Sequence, residues 1–281
     1  MSASATSATL SRRARTPIFL LLVVGVVTVL YPIVFLLTSA FRSNADYLQN
    51  PYGLPGELTF RNFVVLWNSY GVGQAVMNSL TVVLIALVVE LALAILAGYA
   101  LAKYDVPGAK LFRAGFVSVM LIPSQVLIIP IYLLLSRLNL VGEFAGLILV
   151  YIATGLSFAT FFLSLTFRGV PTELLEAARI DGAGFFRTLR SVAAPVGASG
   201  IATLAVLQFL AMWNELLFAY ILLPDDDKTM LTPALAQIGG RYLSDQPLVS
   251  AGLLITALPP LLLLTFASRY VMQGLAAGVV R

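Results

Sequence analysis

Histidine and cysteine are both absent from the 281 residues, and only 11% of positions carry Asp, Glu, Lys or Arg. Without thiol or imidazole there are no disulfides, no Cys/His metal sites and no histidine acid–base catalysis. An ordinary soluble domain carries about 25% charged residues. With less than half of that, a folded surface of this size could not be covered with charge, which excludes a soluble globular enzyme. The missing cysteines carry no information on redox compartment, because there is no thiol to protect or oxidise. Internal repeats are absent, and no G-x4-G-K-[ST] phosphate loop occurs, so the chain has no such ATP-hydrolysing site.

What is present is apolar: 59% of the residues are hydrophobic. In such a chain a net charge of +4 points to cytoplasmic loops against anionic lipid, not to nucleic acid. The charges also mark the organisation by where they are missing. Pro17 to Phe41 is uncharged, and Arg61 to Lys103 contains only Glu90. The intervals Arg113 to Arg137, Glu143 to Arg168 and Asp245 to Arg269 contain no charge, and Arg190 to Asp225 contains only Glu215. Each exceeds the roughly 20 residues that a helix needs to cross the hydrocarbon. The runs are continuous rather than alternating, which selects helices over a barrel. The expected fold is therefore an all-α polytopic membrane protein with six transmembrane helices near 17–40, 75–102, 112–136, 144–167, 197–223 and 248–272. The first apolar stretch is too long for a signal-peptide core, despite Arg12, Arg13 and Arg15 before it.

With the N-terminus inside, 12 of the 17 Lys and Arg residues fall on the cytoplasmic side, so both termini are expected there. The first 16 residues read as a disordered basic tail and 17–281 as a single transmembrane domain. Two external connections, near 41–74 and 224–247, and one cytoplasmic connection, 168–196, are long enough to fold. Within the cytoplasmic one, Pro171 fits a first helical turn and Glu173 the positive helix end, while Gly182 can take the left-handed conformation that stops a helix. Leu174, Ala177, Ala178 and Asp181 share one side of that helix. A second short helix, Phe185 to Ala193, precedes Pro195. Read from physics alone, this helix pair also fits an interfacial linker lying on lipid.

Glu176-Ala177-Ala178, three residues, Gly182, nine residues, Val192, one residue, Ala194 and Pro195 resemble the EAA motif of bacterial ABC-importer permeases. That motif reads Glu-Ala-Ala-x3-Gly-x9-Ile-x-Leu-Pro; Val192 replaces Ile conservatively, and Ala194 in place of Leu is the clear departure. Val170-Pro171 and Ile180-Asp181-Gly182-Ala183 look like the carbohydrate branch, as do Trp213-Asn214-Glu215 with Phe218-Ala219 and the ending Gly274-Leu275…Gly278. Leu58 to Phe63, Asn78-Ser79 and Ile122-Pro123 with Ile129-Pro130-Ile131-Tyr132 are similar to other family segments. The resemblance spans nearly the whole chain and suggests the six-span second permease of the maltose-type systems.

The resemblance implies a type I importer permease that moves a carbohydrate by alternating access. A second permease, a dimer of ATPase subunits and an external solute-binding protein (lipoprotein or periplasmic) would be its partners in a bacterial cell membrane. The chain would be no enzyme and would bind no cofactor, metal or nucleic acid; ATP and Mg would be used by the partner ATPase. Glu176, Ala177, Ala178, Asp181, Gly182 and Pro195 would carry ATPase coupling. Candidate pathway residues are Asn78, Gln125, Gln208, Trp213, Asn214 and Glu215. Glu90 and Glu215 are the ionisable side chains inside the spans, where a carboxylate costs roughly 2.5–3.5 kcal/mol, so each should face protein or a water-filled cavity. For both, interhelical bonding stands beside the pathway reading. Pro123, Pro130, Pro259 and Pro260 are expected to interrupt the third and sixth spans. The competing functions are an ion-coupled secondary transporter, a permease for a non-sugar solute such as a glycerol-phosphate derivative, and a membrane scaffold.

Overall fold

A computed structural model describes residues 12–241 and 245–279 of the chain, and among them every regular element is helical. The elements are α1 (Arg12–Ala40), α2 (Asn44–Gln49), α3 (Arg61–Ser69), α4 (Val72–Lys103), α5 (Ala109–Met120), α6 (Ile128–Arg137) and α7 (Phe144–Arg168). They continue with α8 (Thr172–Ile180), α9 (Phe185–Thr188), α10 (Ala194–Val196), α11 (Ala198–Trp213), α12 (Leu217–Leu222), α13 (Leu231–Arg241) and α14 (Gln246–Val279). The tail expected over 1–16 lies largely outside the described residues, but 12–16 already belong to α1.

Among the described residues, four helices are long and apolar enough to cross a membrane, within α1, α4, α7 and α14. Two bent pairs complete a possible six: α5 with Ser124–Arg137, bent by 88°, and Phe185–Val196 with α11, bent by 80°. The third expected span is thus broken at Leu121–Pro123, where proline disfavours helix in the residue before it. By contrast, α14 runs unbroken through Pro259 and Pro260, so the expected interruption there is absent. Within a helix a proline deletes its own amide bond without obliging the chain to stop. The fifth expected span is also discontinuous, ending at Trp213 and resuming at Leu217.

The described chain forms two compact units. Among the described residues, the first comprises 12–65 with 245–254. Its connection after α1 is organised by Arg42, whose side chain is 1% exposed. The guanidinium donates from Nε to Asp46 Oδ2 (2.6 Å), from Nη1 to the Gly53 carbonyl (3.0 Å) and from Nη2 to the carbonyls of Asp46 (3.0 Å) and Asn50 (2.9 Å). That donor fork holds the Asp46 carboxyl below its ordinary pKa. Asn62 closes the segment by donating to the carbonyls of Ala40 and Arg42.

The second unit comprises the described residues 66–241 with 255–279, and its centre is α4 lying along α7, with α5 and α11 beside them. Ala86, Ala94, Ala159, Leu163 and Leu204 are fully buried in it. Small residues set how closely the helices approach. A Cβ on Gly98 would stand 2.9 Å from Leu163 Cβ and 3.1 Å from its carbonyl carbon, so α4 meets α7 with backbone nearly in contact.

Candidate translocation cavity and coupling loop

A cavity of about 680 Å³ opens between α7, α11, α12 and the α5–α6 break. Its polar lining comes from Ser124, Gln125, Tyr151, Thr154, Ser157, Gln208, Asn214 and Glu215, and its apolar lining includes Pro123, Phe158, Met212 and Phe218. Four candidate residues therefore meet at one cavity: Gln125, Gln208, Asn214 and Glu215.

Glu215 sits in the gap between α11 and α12 and explains that gap. Its Oε1 accepts from the Phe218 amide (2.9 Å), and its Oε2 accepts from the Ala219 amide (3.0 Å) and from Tyr151 Oη (3.3 Å). The side chain thus satisfies amides that begin a new helix, as an acceptor at a helix start does. Asn214 Nδ2 donates back to the Leu210 carbonyl at 2.8 Å. Gln208 Nε2 donates to Glu90 Oε1, joining α11 to α4; Glu90 is fully buried. Gly155 makes room for this pair, since a Cβ there would stand 2.5 Å from both Gln208 Nε2 and Glu90 Oε1.

Two candidates lie elsewhere. Trp213 is 2% exposed, stacks on Phe209 at 5.5 Å and donates from Nε1 to the Thr256 carbonyl (3.0 Å), so it is packed and does not line the cavity. Asn78 donates to the carbonyls of Asp227 (3.0 Å) and Thr229 (2.9 Å), tying α4 to the segment before α13. In the other direction, Tyr151, Thr154 and Phe158 were not singled out from sequence although they line the cavity. Positions 151, 154, 155 and 158 follow the i, i+3, i+4, i+7 spacing of one helix face, a signal that was available in an otherwise apolar run.

The loop between α7 and α11 presents one face outward and anchors the other. On α8, Glu176 and Ala177 are exposed, as are Asp181 and Gly182 just after it; Ala178 is half-buried, and Leu175 is buried beneath them. Gly182 has φ +78°, a left-handed conformation that costs glycine nothing. The Ala183 amide then reaches back to the Ala178 carbonyl at 2.9 Å and closes the helix end. After Phe185 the chain winds through α9, a π-helical turn over Leu189–Ala193 and α10, which contains the exposed Pro195. Phe185 packs on Tyr99 (5.1 Å between centroids) and Tyr104 (5.2 Å), and Tyr99 packs on Phe167 (5.6 Å). The Arg179 guanidinium lies 5.2 Å over the Tyr104 ring, and Lys103 Nζ donates to the Val170 carbonyl at 2.6 Å. The loop is thereby joined to the C-terminal ends of α4 and α7.

A helical bundle with a polar cavity and an anchored, outward-facing loop defines a multi-pass membrane transport protein. The chain belongs to the family of binding-protein-dependent transport system inner membrane components, whose model matches residues 90–276. It is 32% identical to the diacetylchitobiose uptake system permease protein NgcG of Streptomyces coelicolor, over 93% of this chain and 87% of that protein. The arabinooligosaccharides transport system permease protein AraQ of Halalkalibacterium halodurans is 30% identical, over 89% of this chain and 91% of its own length. Among solved structures, a bacterial ABC transporter involved in import of the acidic polysaccharide alginate has the same fold, with a TM-score of 0.82, 22% identity, and coverage of 92% of this chain and 98% of that one. The chain is accordingly a permease of the ABC-importer class.

Proposed function

We propose that this permease moves a carbohydrate, delivered by an external binding protein, into the cytoplasm of a bacterial cell by alternating access. It works as one of two permease subunits in the plasma membrane, with both termini inside. A separate ATPase dimer uses ATP and Mg and closes against the exposed face of α8, through Glu176, Ala177, Ala178, Asp181 and Gly182, with Pro195 ending the motif. The observation that carries this reading is the anchored loop. One face of α8 is free, while Arg179 and the buried Leu175 of α8, with Phe185 at the start of α9, anchor the loop toward the C-terminal end of α4. A short helix fixed in this way passes on a rigid displacement that a loose loop would absorb. The carbohydrate assignment is supported by the names of the relatives, which differ in the sugar they state, so the chemical class is inherited and the individual sugar is not. Gln125, Gln208, Asn214 and Glu215 form this chain's share of the pathway, Asn78 and Trp213 support it from outside the cavity, and the chain itself holds no metal or cofactor.

Vesicles carrying the complex test the mechanism. Uptake should require ATP and the binding protein and should persist when proton and sodium gradients are collapsed. Uptake driven by an ion gradient without ATP would instead establish the secondary-transporter reading and remove α8 from the mechanism.

A further inference from the structure

We infer that the part of the pathway supplied by this chain selects uncharged, hydroxyl-rich solutes and rejects anionic ones, so that the imported carbohydrate is neutral and not a uronate or a phosphorylated sugar. This rests on the cavity being part of the translocation pathway. Among the described residues, no Lys or Arg lines it. The donors that line it are all neutral: the Gln125 amide and the Ser124 and Ser157 hydroxyls face it, and four others are committed to protein acceptors. Tyr151 Oη donates to Glu215, and Thr154 Oγ1 donates to the Val150 carbonyl at 2.8 Å. Gln208 turns its Nε2 inward to Glu90 and Asn214 turns its Nδ2 to Leu210, leaving their carbonyl oxygens as the uncommitted ends.

What faces the cavity is therefore a set of neutral hydroxyl and amide groups with no cation, one carboxyl in the wall and another behind Gln208. Sugar hydroxyls bring donors of their own and are matched by such a wall. A carboxylate or phosphate brings only charge and acceptors. It would lose water here beside two carboxyls without gaining a cation, a desolvation that neutral donors compensate poorly. Glu90 is a positioning residue in this account: it never reaches the solute, but it sets which end of the Gln208 amide does. Gly155 keeps the space in which the two side chains meet.

Because the chain has no cysteine, a single introduced thiol reports on the cavity. Ala211 and Gln125 both line it and are exposed, so Ala211→Cys and Gln125→Cys place a thiol there with little repacking. The complex is purified through this chain and treated with methanethiosulfonates bearing a trimethylammonium or a sulfonate group. Rates are normalised to those of the same reagents with a small free thiol, and labelling is read on this chain alone. The expected result is a normalised preference for the cationic reagent of roughly tenfold or more at both positions, falling as salt is raised. Equal normalised rates, or a preference for the sulfonate, would overturn the charge selectivity while leaving the pathway reading intact. Failure of both reagents at both positions, with and without ATP, would overturn the pathway reading and this inference with it.

Discussion

The two ends of α4 are held to the rest of the second unit by different chemistry. At its C-terminal end, Tyr99 and Tyr104 meet Phe167, Phe185 and Arg179 in a largely aromatic cluster. At its N-terminal end, Asn78 and Ser79 hold the backbone of 227–231 by hydrogen bonds, the second from the Leu231 amide to Ser79 Oγ at 2.8 Å. Nearby, Lys228 bridges to Glu143 (2.8 Å) and to the Gly142 carbonyl (2.8 Å), and the Gly142 amide donates to the Leu222 carbonyl (2.7 Å). Aromatic packing joins broad side-chain surfaces of whole elements, whereas hydrogen bonds to backbone fix the path of one segment. The first suits an end that transmits force from a partner, and the second suits an end that must present a loop in one shape.

Five substitutions break or sharpen that contrast. Gly182→Pro removes a left-handed stop and its amide bond to Arg179, and Glu176→Lys reverses a charge on the exposed face. Either should abolish uptake while the protein still inserts; normal uptake with either variant would show that this end does not couple. Phe167→Ala empties a fully buried position in the aromatic cluster and should destabilise by about 3–5 kcal/mol, read as a lower melting temperature of the purified complex. At the other end, Asn78→Ala deletes two bonds to backbone and should cost about 1–3 kcal/mol. Its functional signature should be a weaker stimulation of ATPase by the binding protein at unchanged unstimulated rate, and equal losses in both would assign Asn78 a general packing role. The smallest effect belongs to Lys228→Ala. Its partner Glu143 is 56% exposed, so the ion pair is worth about 0–1 kcal/mol and should lose even that at high salt. A loss above about 2 kcal/mol that survives molar salt would mean that the bond to the Gly142 carbonyl dominates.

Legibility followed the range over which each decision is made. The apolar stretches were readable because lipid leaves an uncharged run one outcome, a helix with its backbone bonds satisfied internally. The left-handed turn at Gly182 was readable because a helix stop is local. Arg42 was not: in sequence it is one more charge bounding an apolar run, yet it is almost wholly buried and spends its donors on its own loop. Composition cannot distinguish a charge in solvent from one that organises a turn. The 246–279 helix was expected to break at Pro259-Pro260 and does not, whereas Leu121–Pro123 does break. A proline lowers the cost of a bend, and packing decides whether the bend occurs.

By itself, then, the sequence determined that this is a helical membrane protein, and the Glu-Ala-Ala-x3-Gly segment between its fourth and fifth apolar runs carried the resemblance to permeases. The first conclusion needs only the run of charges, and the second only the order of residues within about twenty positions. The tertiary structure decided which polar side chains face the cavity. Trp213 and Glu215 are two residues apart, yet one is packed against Phe209 and Thr256 while the other lines the cavity and caps α12. Asn78 finds its acceptor 149 residues away and Glu90 its donor 118 residues away. Which way a side chain points depends on the rotation of its helix against neighbours from distant parts of the chain, and no local pattern encodes that rotation.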